Sequence, residues 1–165
     1  MKTLKIFVAV LALSISVAHA QFTKAELQVS GLTCSMCSKA TEKSLRTLNF
    51  INDIKADLNR NVFVITFKKD ADVNLDQISK KVQSAGFSVS NLKATLNFAN
   101  IKVDNNWFTY SGDNYYLVSP VNKALNGPVA LTVVDKGFAP ASVYKKYSNI
   151  VADNTKPGRV YRIVI

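Results

Sequence analysis

Apolar and polar residues alternate from Ala25 to Val29, and this period of two predicts a half-buried strand. Gly31 to Cys37 reads as a loop. Beyond it, Cys37, Ala40, Thr41, Ser44, Leu45 and Leu48 share one face of a predicted helix that ends near Leu48. Ile54, Ala56 and Leu58 alternate as a second strand. Asn59-Arg60-Asn61 marks a turn, and the β-branched and aromatic run Val62 to Phe67 completes a hairpin. Asn74 with Gln77 three residues on resembles a capping box. Leu75, Ile78, Val82 and Ala85 line the helix that it opens, and Gly86 is placed to end it. Phe87, Val89 and Asn91 continue as a fourth strand. The order βαββαβ is that of the ferredoxin-like split βαβ arrangement.

This pattern does not recur after about residue 94. Strand-like runs are predicted at Thr95 to Val103, Trp107 to Tyr110, Tyr115 to Ser119, Val129 to Val134 and Arg159 to Ile165, with one short helix from Pro140 to Tyr147. The count fits a small β-rich unit, with an OB-type barrel as the expected topology. The fold class is therefore α+β, with a ferredoxin-like domain over residues 21–93 and a β-rich domain of unassigned role over 94–165. Trp107, Phe108, Tyr110, Tyr115 and Tyr116 gather in two adjoining runs, and core packing is the favoured reading over an exposed patch.

Residues 1–20 stand apart. Lys2 and Lys5 precede an apolar run from Ile6 to Val17, and Ala18-His19-Ala20 is a small-x-small cleavage site. The run is shorter than the roughly 20 residues needed to span a bilayer. A cleaved signal peptide is expected, with Gln21 as the first residue after it and the periplasm as the expected destination. No later segment is apolar enough to span a membrane. Cleavage removes two lysines from a net charge of +10 and takes away His19, the only histidine. Basic residues are scattered, mostly singly or in pairs such as Lys145-Lys146, which together with export argues against nucleic acid.

The chemistry concentrates in Cys34 and Cys37, the only two cysteines. A thiolate pair at the start of a helix suits a soft ion, because the helix N-terminus favours negative charge. Structural Zn(II) wants four ligands. Two sulfurs without imidazole fit Cu(I) or Hg(II) better, and Cu(I) is the expected ion. Met36 is a weak third donor at most. With no histidine after cleavage and no phosphate-binding glycine loop, no enzyme is expected. The expected function is a carrier that binds Cu(I) through this pair and transfers or buffers it, and two other readings stand beside it. One is a thiol–disulfide oxidoreductase using the same Cys-x-x-Cys pair; the other is an inert disulfide.

Gly31-Leu32-Thr33-Cys34-Ser35-Met36-Cys37 resembles the metal loop of heavy-metal-associated domains, found in copper chaperones, copper-transporting P-type ATPases and the periplasmic mercuric-ion-binding protein. The resemblance covers about residues 24–92. It implies the ferredoxin-like fold, metal binding by Cys34 and Cys37, and transfer to a metal-transporting protein with a similar cysteine pair. Leu32 stands where the family usually carries methionine. Phe87 falls where bacterial members place an aromatic near the loop, either as a shield or as core. A signal peptide followed by one such domain is similar to the plan of the mercuric-ion-binding protein, so mercury scavenging is an alternative, but the extension over 94–165 departs from that plan.

Overall fold

The computed structural model describes residues 21–98, 101–119, 125–151 and 155–165. The expected signal peptide lies outside them. The elements are β1 (Gln21–Ser30), α1 (Ser35–Leu45), β2 (Ile51–Asp57), β3 (Val62–Phe67), α2 (Leu75–Ser84), β4 (Ser88–Asn97), β5 (Trp107–Tyr110), β6 (Asp113–Leu117), β7 (Pro128–Val133), α3 (Ala141–Tyr147) and β8 (Val160–Val164). Among the described residues no helix is long and apolar enough to cross a membrane.

The first four strands and two helices have the ferredoxin-like arrangement, with antiparallel neighbours in the order β2-β3-β1-β4. Ile54, Ile65, Ala25 and Ala94 line up across these strands on the buried face. Two of the three bulges in these pairings adjust the alternation near strand starts. One lies between Phe22 and Lys24 and puts Phe22 on the same face as Ala25; the other, between Ile51 and Asp53, does the same for Ile51 and Ile54. Simple alternation from Ile54 placed Ala56 and Leu58 in the core, but Ala56 is exposed and Leu58 lies beyond the strand at 62% exposure. In α1 the inward residues are Ser38, Thr41 and Leu45, and Ala40 is exposed. Asn74 caps α2 as expected, its side-chain oxygen accepting from the Gln77 N–H at 3.0 Å.

The OB-type barrel expected for the C-terminal part does not form among the described residues. The sheet instead continues, open, as β4-β7-β8-β6-β5, giving eight strands in all. Strand β4 runs to Asn97 and pairs with β7 from Lys93↔Thr132 to Asn97↔Pro128. The run expected as a separate strand from Thr95 thus begins as the end of β4, past the expected boundary at residue 93. Helix α2 also bridges the halves. Ser79 Oγ donates to the Gly137 carbonyl at 2.7 Å, and Asp76 pairs with Arg159 at 3.1 Å. Gly137 has φ +90, and a Cβ there would lie 3.3 Å from Ser79 Oγ, so this close approach needs glycine. One apolar cluster runs from Leu45 and Ile78 through Phe22 to Tyr115, Leu131 and Tyr161.

The aromatics divide between faces. Phe108, Tyr115 and Tyr161 are buried, with Tyr115 stacked on both of the others at 4.9 and 5.1 Å. Trp107 and Tyr116 are half-buried, a separate pair 5.0 Å apart, with Lys156 over the indole at 4.9 Å. Each edge strand has one residue whose outward backbone groups are already engaged. On β2, Arg46 donates to the Ile54 carbonyl at 2.7 Å and Asp53 accepts from the Ile54 N–H at 2.8 Å. On β5, Trp107 exchanges two backbone hydrogen bonds with Asp104, both 2.8 Å. Such capping hinders edge-to-edge pairing with other chains.

Desolvation pushes the Asp113 carboxyl up from its usual range; Asp76 and Asp72 add to this and Arg159 opposes it. A raised folded-state pKa means that the folded chain takes up this proton before the unfolded chain does. Stability through Asp113 therefore rises as pH falls toward the carboxyl range. Asp113→Asn should be more stable relative to the parent at neutral pH, with the advantage shrinking on acidification. Urea midpoints of both chains across that range check it, and a constant difference would contradict it.

Candidate metal centre

Gly31 ends β1 with φ +87, and the position its Cβ would take lies 3.5 Å from the Phe87 ring. Phe87 and Leu32 are both partly buried and pack against the core. Leu32 thus anchors the loop from below, while Phe87 braces its first turn. Thr33 donates its N–H to the Gly31 carbonyl at 2.9 Å, tightening that turn. Both residues therefore have packing roles that fix where the cysteines sit.

Helix α1 begins at Ser35, two residues before the expected helical face. Cys34 is its N-cap, in extended conformation, and its Sγ accepts from the Cys37 N–H at 3.2 Å. Sulfur here takes the part that Ser, Thr, Asp or Asn oxygen plays at most helix starts. That amide bond and the positive end of the helix both favour negative charge on the sulfur. Cys34 is exposed and Cys37 half-buried, one helical turn further on. Thr41 Oγ1 donates to the Cys37 carbonyl at 3.1 Å, which ties the first turn to the second. The first turn of α1 holds no acidic residue.

The structure brings the two predicted site residues together as a disulfide, with Cα atoms 5.3 Å apart. This spacing is common for bonded cysteines, and reduction would leave two thiolates within reach of a single ion. Met36 stands between them at 71% exposure. Among the described residues no group of three or more His, Cys, Asp or Glu side chains is placed to hold a metal. The sulfur of Cys34 as a helix cap was not read from the sequence. Its signal was available: a loop residue with a cap-like side chain three positions before an N–H in need of a partner.

The heavy-metal-associated domain model matches residues 26–88. A copper-transporting ATPase of Helicobacter felis is 30% identical over 66 residues, covering 39% of this chain and 9% of the ATPase. The chain therefore corresponds to a small part of that relative. Among solved structures, the yeast copper transporter domain Ccc2a is 27% identical, with TM-score 0.36, over 41% of this chain and 90% of the domain. Apo-CopP from Helicobacter pylori is 27% identical, with TM-score 0.35, over 40% of this chain and 97% of that protein. Residues 26–88, with the βαββαβ order and the Cys-x-x-Cys pair at the start of α1, are thus similar to heavy-metal-associated domains.

Proposed function

We propose that this chain is an exported carrier that binds Cu(I) between Cys34 and Cys37 and passes it to a partner bearing a similar cysteine pair. The observation that carries this reading is the cysteine pair itself, one sulfur exposed at a helix N-cap and the other one turn along. Soft thiolates select Cu(I), and two of them satisfy it. Zn(II) would lack two of its usual four ligands. The copper-transporting ATPase among the relatives supports copper, and Hg(II) remains the competing ion for the same two sulfurs. The residues before Gln21 support export through their charged, apolar and small-residue order.

Transfer is a ligand exchange without net electron flow. A thiolate of the partner adds to the two-coordinate ion, giving a three-coordinate intermediate. One of the two cysteines then leaves, and a second exchange completes the hand-over. The disulfide must first gain two electrons and two protons, for which a dithiol reductant suffices: it becomes a disulfide as Cys34 and Cys37 become thiols. The oxidised pair also motivates a second reading, thiol–disulfide exchange as the function.

Anaerobic titration of the reduced chain with Cu(I) against a competing chelator, read by native mass spectrometry, separates these readings. One tightly held Cu(I) per chain is expected, lost in Cys34→Ser/Cys37→Ser, with weaker retention of Zn(II). Hg(II) held against the chelator while Cu(I) is surrendered would shift the reading to mercury. An active insulin-reduction assay without metal retention would favour the redox reading.

A further inference from the structure

Helix α3 has no place in the core. None of its residues is fully buried, and it packs closely on no other helix or strand. Val143, Tyr144 and Tyr147 are half-buried, yet they belong neither to the core cluster nor to the side chains packed against it. Ile150, in the turn that follows, is 46% exposed. Val143, Tyr147 and Ile150 are spaced four and three apart, so they extend one apolar face along the helix and its last turn. Lys145 and Lys146 are exposed beside it, as is Lys136 near by in sequence, and the Lys146 Nζ lies 5.4 Å from the centroid of the Tyr147 ring. These lysines are not neutralised: every ion pair among the described residues is made by an arginine. The carboxylate beside Lys136, Asp135, is buried and engaged by Arg162.

We propose that α3 and its following turn dock on an anionic lipid surface, with Val143, Tyr147 and Ile150 at the headgroup boundary and Lys145 and Lys146 among the lipid phosphates. Tyrosine suits that depth, having an apolar ring and a polar tip, and lysine reaches the phosphates while its stem stays with the apolar face. Charge decides between occupants. A second copy would set lysines against lysines. A stable protein partner would need roughly 800 Å² of matched surface per side, far more than a two-turn helix offers. A lipid surface needs no matching pocket and is itself negatively charged. This surface is independent of the metal pair, so it stands or falls separately from the carrier reading.

The test is co-sedimentation with vesicles, using the chain from Gln21 onward. That chain holds every described element and lacks the apolar run Ile6 to Val17, which would bind lipid on its own. It should bind vesicles containing phosphatidylglycerol, ignore pure phosphatidylcholine, and be released by high salt. Each lysine near such a surface is worth about fivefold in affinity, so Lys145→Glu/Lys146→Glu should all but abolish binding. Tyr147→Ser/Ile150→Ser should weaken it, with circular dichroism confirming that both variants fold. Failure to sediment with phosphatidylglycerol, or unchanged binding by both folded variants, would overturn the proposal. So would retention on poly-glutamate without binding to vesicles, which would make an acidic protein the ligand.

Discussion

Phe22→Ala should cost about 3–5 kcal/mol and lower the stability of both halves of the chain together. Phe22 is 1% exposed, and its ring centroid lies 6.5 Å from that of Phe67 in β3, 5.1 Å from Tyr110 in β5 and 6.2 Å from Tyr115 in β6. It therefore touches aromatics of both the ferredoxin-like half and the C-terminal half. Removing the ring leaves a cavity bordered by both, where neither backbone can collapse far because β1, β3 and β4 are paired through this region. A loss of that size is a large part of the roughly 5–15 kcal/mol that holds a folded domain together. The check is urea unfolding followed by far-ultraviolet circular dichroism and by the fluorescence of Trp107, the only tryptophan. Both signals should shift to the same lower midpoint. If the Trp107 midpoint stays where it is while the dichroism shifts, the halves unfold separately and the shared core carries no coupling.

Asp135→Ala should cost a similar amount, about 3–5 kcal/mol, by removing the carboxylate that faces the buried Arg162 guanidinium. Asp135 accepts from Arg162 Nη1 at 2.8 Å and from the Arg162 N–H at 3.1 Å, with the Arg159 guanidinium at 3.5 Å. The side chains of Asp135 and Arg162 are 4% and 6% exposed. Burial pushes the Asp135 carboxyl up from its usual range, and the hydrogen bond from Arg162 and the charge of Arg159 oppose that push. Without the carboxylate, Arg162 keeps the Val151 carbonyl as acceptor but no counter-charge from residue 135. Arg162→Met should also be harmful, because it removes the 2.8 Å hydrogen bond and the nearer positive charge from the buried carboxylate, leaving it Arg159 at 3.5 Å. The double variant Asp135→Ala/Arg162→Met should lose much less than the two singles combined, since no buried charge is left unmatched. Urea midpoints for the four chains measure the coupling, and simple additivity would show that the pair is not an energetic unit.

These two positions also mark where reading the sequence stops. Alternation from Ala25 to Val29 located the centre of β1, and the run Val62 to Phe67 gave β3 at its observed limits. Asn74 and Gly86 marked the ends of α2, because a side-chain cap and a left-handed residue are local devices. The Cys-x-x-Cys pair needed only its spacing and the helix that follows. Phe22 escaped because the bulge between Phe22 and Lys24 breaks the period of two, and a bulge is a decision of the paired strands. The buried pair of Asp135 and Arg162 is 27 residues apart in sequence, a separation at which no periodicity operates.

The amino-acid order by itself determined the order of elements in the βαββαβ unit, the ends of α2, the Cys-x-x-Cys spacing and most of the C-terminal strands, since each rests on patterns within a few residues. The tertiary structure alone decided that those strands extend one sheet. A strand carries donors and acceptors along both edges, and nothing local says which neighbour will take them. Here β7 takes the free edge of β4, and Ser79 with Asp76 of α2 ties Gly137 and Arg159 to the same body. The sheet therefore stays open and spans both halves where a second closed barrel was expected, because pairing β4 satisfies an edge that a separate barrel would have left bare.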